Sequence, residues 1–187
     1  SLYIKTEQNY VTIFDHVLFT LDANKAFVSC CAVGTTIKKI FVVYNFSFDE
    51  NMTPYASQMV SNTLGNILGD SHFKKDIRFA PLVRAYVFED AEKRPVAAVW
   101  CHMENVDNGY TDAPVAEADF GNSLESVIDL MNNKRAFTKG RFQFPVTSYP
   151  LFLRGKKGTL NEMVKALEKA VIISGEGISP VEASAVP

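Results

Sequence analysis

The feature that most constrains this chain is a single change of pattern near His72. Upstream of it, a short extended run, a helical repeat, a second extended run and a second helical repeat follow one another. Downstream, short extended runs alternate with polar turns. Strand and helix in alternation, followed by strands alone, predict α/β elements leading into antiparallel β structure, an α+β chain.

The upstream half begins with "YIKTEQNY", an extended run that stops near Glu7. Asp15 is placed to cap a helix over 16–33, with Phe14, Leu18, Leu21 and Val28 at helical spacing and Gly34 as the stop. The run Ile40 to Tyr44 is continuously apolar and rich in β-branched and aromatic residues, as expected of a strand covered on both faces. Thr53 as cap and Pro54 at the first helical position then open a helix with Ala56, Met59, Val60, Leu64, Ile67 and Leu68 on one side, ending at Gly69.

In the downstream half, "VRAYVFED" and "RPVAAVWCHMEN" flank the polar turn "DAEK" and predict an antiparallel hairpin. Further strands are expected at "VAEADF", "SVIDLM", "RAFT", "RFQFPV" and "PLFLRG", and their spacing points to a β-sandwich. A capping box from Thr159 to Glu162 opens a last helix, with the stripe Leu160, Met163, Val164, Leu167 and Val171. The chain thus divides into an α/β segment, 1–73, a β-sandwich with a carboxyl-terminal helix, 74–173, and a linker-like tail, 174–187.

Composition narrows the function classes. Hydrophobic residues make up 47% of the chain, with 14 Phe and 7 Tyr, so its core is expected to be rich in aromatic rings. A net charge of −2 gives no electrostatic footprint for nucleic acid or an anionic membrane, and the basic cluster "RGKKG" (Arg154 to Gly158) reads as a solvated turn. No apolar run approaches the ~20 residues that cross a bilayer. Cys30, Cys31 and Cys101 form neither a disulfide framework nor a metal spacing, and His16, His72 and His102 are scattered, so no metal or other cofactor is expected. Asn45 and Asn51 head glycosylation-type tripeptides, which carry weight only in a eukaryotic secretory protein. The Asp-rich stretch over 105–122 lacks the spacing of a calcium loop and reads as turns. Trp100 has apolar neighbours on both faces of its strand, which places it in the core rather than on an exposed sugar platform, and His102 beyond it reads as a hydrogen-bonded edge residue.

Taken together, "VRAYVFEDAEKRPVAAVWC", "VIDLMNN" and "FPVTSYPLFLRG" resemble the β-sandwich domain that packs behind the catalytic barrel of many glycoside hydrolases. The turn reads "DLMNN", without that family's glycine. Upstream, "YIKTEQNY" is similar to the seventh strand of a clan A retaining glycosidase barrel, which ends in the nucleophilic glutamate. The segments "HVLFTLDANKAFVSCCAVGTTIKKIFVVYNF" and "TPYASQMVSNTLGNIL" are similar to the following helix, the eighth strand and the closing helix. The resemblance runs through Gly155.

It implies the carboxyl-terminal part of a (β/α)8 barrel glycosidase, with residues 1–73 as the last two βα units. Glu7 is then the nucleophile, and Tyr44 and Phe46 floor the sugar site where the family usually has tryptophan. Catalytic groups of such barrels stand at carboxyl ends of strands, as Glu7 does. A retaining mechanism also needs an acid/base carboxyl ~5 Å from the nucleophile. In the family it comes from an earlier strand that this sequence lacks, so activity belongs to the intact protein. The implied partners are the rest of the barrel and a carbohydrate, and the implied location is secreted or periplasmic. The alternatives are an autonomous carbohydrate-binding sandwich and a protein-interaction sandwich without a sugar role.

Overall fold

The computed structural model of the protein describes residues 51–54, 56–101, 113–147 and 149–174. The elements expected within residues 1–50 lie outside the described residues. In chain order the described elements are α1 (Ala56–Leu68), β1 (His72–Ile77), β2 (Val83–Glu89), β3 (Pro95–Cys101), β4 (Val115–Asp119), β5 (Leu124–Ile128), β6 (Lys134–Arg135), β7 (Arg141–Pro145), β8 (Leu151–Gly155), α2 (Leu160–Glu168) and β9 (Val171–Ser174). The strands form two antiparallel sheets, one of six strands in the order β1-β2-β3-β8-β5-β6 and one of three in the order β7-β4-β9. The fold is mixed and strand-rich, and it is compatible with a β-sandwich.

The expected hairpin is β2–β3, in continuous register from Val83 opposite Cys101 to Glu89 opposite Pro95. Its turn spans Asp90 to Arg94. The Lys93 N–H donates to the Asp90 carbonyl at 3.1 Å, and the Arg94 N–H to Asp90 Oδ1 at 2.8 Å. Lys93 takes the left-handed conformation, φ 66°, that closes the loop.

All seven residues of β3 are buried, because both faces of the large sheet are covered. Val96, Ala98 and Trp100 point to one face, where Val60, Leu64, Ile67 and Leu68 of α1 join Phe88, Ile128 and Phe152. Ala97, Val99 and Cys101 point to the other, where they meet Ala116, Phe142 and Phe144 of the small sheet and Met163 and Leu167 of α2. Trp100 is 0% exposed and meets Tyr86 edge to face at 5.2 Å, so it is a core residue, as its strand pattern predicted. On α1 the apolar side is narrower than expected: Met59 is 41% exposed. The helix begins at Ala56, two residues beyond Pro54, and the Gly69 N–H closes its last turn on the Gly65 carbonyl at 3.0 Å.

At the end of the chain the structure corrects the sequence reading. The helical stripe was expected to run on to Val171, but α2 stops at Glu168 and Val171 is 52% exposed on β9, which pairs with β4. The physical reason lies in "VII". Three consecutive β-branched residues lose χ1 freedom in a helix and suit a pleated strand, and β4 offers them a ladder. Ser174, read as the start of the tail, closes β9. The capping box is also absent. Thr159 is the N-cap residue, but its hydroxyl donates to the Lys156 carbonyl at 2.7 Å and caps no helical N–H. Two elements, β1 and β9, were not anticipated as strands. In "RGKKG", Arg154 and Gly155 finish β8, and the turn begins at Lys156.

Gly155 is where α2 comes down on the large sheet. A Cβ there would stand 2.7 Å from Pro95 Cγ, 2.9 Å from Thr159 Oγ1 and 3.0 Å from Met163 Cε. Gly155→Ala is therefore expected to destabilise the fold by about 1–3 kcal/mol through overpacking. Leu64→Ala, which opens a cavity between α1 and the sheet, is expected to cost about 2–5 kcal/mol. Urea denaturation followed by circular dichroism measures both. A Gly155→Ala midpoint equal to wild type would show that the contact relaxes freely.

Candidate functional site

Glu7, Tyr44 and Phe46, the residues singled out for sugar chemistry, lie outside the described residues, as do His16, Cys30, Cys31, Asn45 and His102. Among the described residues no group of three or more His, Cys, Asp or Glu is arranged to hold a metal ion, and no helix is long and apolar enough to cross a membrane. The described end of the Asp-rich stretch does form a turn, in which Asp119 Oδ1 accepts the Gly121 N–H at 2.9 Å. His72 is exposed on the edge strand β1, and Cys101 is a buried free thiol.

Between β7 and the β5–β6 edge of the large sheet lies a cleft of about 620 Å³. Its position follows from how the second layer is built. That layer consists of α2 and the small sheet, and α2 lies against β1, β2, β3 and β4. At the opposite margin the small sheet ends with β7, and the cleft opens beneath it. Its deeper wall carries Val127, Phe142, Phe144 and Leu151 from the core between the sheets, and it reaches round to Leu130 and to Val60 of α1.

Polar groups are confined to a few positions, and their hydrogen-bonding capacity is largely used locally. Asp129 organises the turn after β5: Oδ1 accepts the N–H groups of Met131 at 3.0 Å and Asn133 at 2.8 Å, and Oδ2 accepts Asn133 Nδ2 at 3.1 Å. The Arg135 guanidinium completes the set, with Nη2 at 2.8 Å and Nε at 3.1 Å from Oδ2. Asn132 takes φ 65° in this turn, so asparagine fills the left-handed position in "DLMNN". Gln143 donates through Nε2 to Glu117 at 3.0 Å. The Thr147 hydroxyl donates to the Tyr149 carbonyl and accepts its N–H, each at 3.0 Å. Sequence reasoning had noted Asp129 only as part of a turn. Asp129 and Arg135 meet within the β5–β6 hairpin, whereas bringing Gln143 and Tyr149 to the same cleft depends on the pairing of β5 with β8 and on the small sheet, which no local pattern announces.

A second polar group lies at the hairpin turn. The Lys74 ammonium, bonded to Glu89 Oε2 at 3.0 Å, holds the Glu89 carboxyl below the usual carboxylate range, and Lys93 at 3.5 Å assists. Burial acts to raise Asp90, but the backbone N–H and guanidinium of Arg94 outweigh it and leave that carboxyl lowered as well. A general acid at neutral pH needs the opposite shift, so this pair is structural in character. It fastens the turn that the Gly158 N–H reaches from the β8–α2 connection, bonding the Lys93 carbonyl at 2.7 Å.

Comparison with protein-family models, with curated proteins and with solved structures finds no significant match to this chain.

Both hairpin carboxyls titrate lower in the folded protein than in the unfolded chain, so the folded state binds fewer protons. Their contribution is fully present above the unfolded carboxylate values of about 4 and is lost as pH falls through the folded ones. The urea midpoint is expected to drop on acidification below about pH 4, and Asp90→Asn to flatten that drop. A midpoint that rises over the same interval would contradict the assignment.

Proposed function

We propose that this chain is the carboxyl-terminal part of a retaining glycoside hydrolase of the clan A type, with the two-sheet body bracing the end of the barrel. The observation that supports this most is the seating of α1. Val60, Leu64, Ile67 and Leu68 are buried against Trp100, Phe88 and Phe152 on the outer face of the large sheet, and β1 follows almost at once. A helix held in this way moves with the sheet as one unit. That is what a closing barrel helix handing over to a packed sandwich requires.

In this reading Glu7 attacks the anomeric carbon and forms the glycosyl-enzyme. A second carboxyl, ~5 Å away on an earlier barrel strand, protonates the leaving oxygen and then activates water. Tyr44 and Phe46 offer aromatic faces to the sugar's C–H groups. The described body contributes no reacting group. It keeps the last barrel elements in place, since small displacements of a nucleophile cost rate steeply.

The test is made in the intact protein. Glu7→Gln is expected to abolish glycoside turnover while leaving the thermal midpoint unchanged, and Leu64→Ala is expected to lower the temperature at which activity is lost. Wild-type turnover by Glu7→Gln would overturn the nucleophile assignment. Saturable binding of the 187-residue chain to a glycan array, lost on substituting an exposed aromatic residue, would favour an autonomous carbohydrate-binding module instead.

A further inference from the structure

We infer that the cleft between β7 and the β5–β6 edge is a binding site for an uncharged, predominantly apolar small molecule of the aromatic or alicyclic kind. The inference stands apart from the glycosidase reading, because it uses none of the residues on which that reading depends for catalysis.

Size is the first argument. Protein interiors are packed to crystal-like density, with few voids larger than a water molecule. A cleft of about 620 Å³ lies within the ~300–1,000 Å³ span of small-molecule sites. It also lies where the body's two hydrophobic cores approach each other, with Val127, Phe142 and Phe144 from one and Val60 and Leu130 from the other. A ligand seated there removes apolar wall from water on several sides at once, which is the main source of affinity in such sites.

Charge selects the class. The cation at the cleft is Arg135, and it is already held by Asp129 at 2.8 Å. Both Asp129 oxygens are in turn engaged by Met131, Asn133 and Arg135. Asp129 neutralises the Arg135 charge, so a ligand carboxylate or phosphate finds no net positive charge at the cleft. An ammonium would have to displace the guanidinium. Gln143 gives one amide N–H to Glu117, and the Thr147 hydroxyl donates to the Tyr149 carbonyl. The polar groups therefore offer no net charge to a charged ligand and no dense set of donors to a hydroxyl-rich one. What remains is apolar contact with a neutral molecule.

Entry is tested at Ala136, which lines the cleft from an exposed position, so a larger side chain there obstructs the site without entering the core. Titration of the 187-residue chain with the uncharged dye Nile red is expected to give saturable, one-to-one fluorescence enhancement. Ala136→Trp is expected to weaken it at least about tenfold. Gln143→Trp, which obstructs from the β7 side, should produce the same loss, and Lys139→Trp, outside the cleft lining, should leave binding as in wild type. Circular dichroism and thermal midpoints establish that each variant is folded. Absence of saturable binding, or equal affinity in wild type and both cleft variants, would overturn the site. Tighter binding of the anionic dye anilinonaphthalene sulfonate, lost in the same variants, would overturn the uncharged class.

Discussion

The structure depends on the burial of β3 from both sides. A strand can be apolar along its whole length only if each face has a cover, and here two different covers meet it: α1 on one face, and α2 with the small sheet on the other. Every residue from Pro95 to Cys101 is therefore out of water, and the pairing of β3 with β2 and β8 satisfies its backbone in the middle of the large sheet. Loss of either cover would expose a continuous apolar face. The two helices are thus not decorations on a β fold but conditions for its central strand to exist.

Much of this was legible in local pattern. The β2–β3 hairpin followed from two apolar runs around a polar turn, and the core position of Trp100 from the apolar residues on both faces of its strand. Most of the later short strands fell where β-branched and aromatic residues cluster. What escaped was what tertiary pairing decides. "HFKKDI" carries charge and little alternation, and it becomes β1 because β2 offers an edge. The periodicity of α2 continues by coincidence into Val171, and only pairing with β4 turns that residue into a strand. The candidate cleft was harder still, since its residues come from α1, β5, β6, β7, β8 and the loops between them and share no spacing.

Two functional threads run through the molecule, and they sit on different parts of it. The catalytic proposal rests on Glu7, Tyr44 and Phe46 in the amino-terminal segment, with the two-sheet body as its support. The cleft belongs to the body itself. At the hairpin turn, lysine and arginine hold the Glu89 and Asp90 carboxyls below the usual carboxylate range. Charge in the described body is used to fasten turns: Asp90 with Arg94, Asp129 with Arg135.

The pairing of β3 with β8 has a kinetic consequence. Val96 and Arg154 are ladder partners, yet the small sheet's β4 and β7 and the β5–β6 hairpin all lie between them in the chain. The β2–β3 hairpin closes only a short loop and is free to form early, whereas joining it to β8 requires a long excursion to be closed with the attendant loss of chain entropy. Until β8 arrives, one edge of β3 stands open with its apolar residues in place, a template for any strand that reaches it first. The rate at which residues 151–154 return to β3 therefore governs how long the newly made chain is exposed to mispairing.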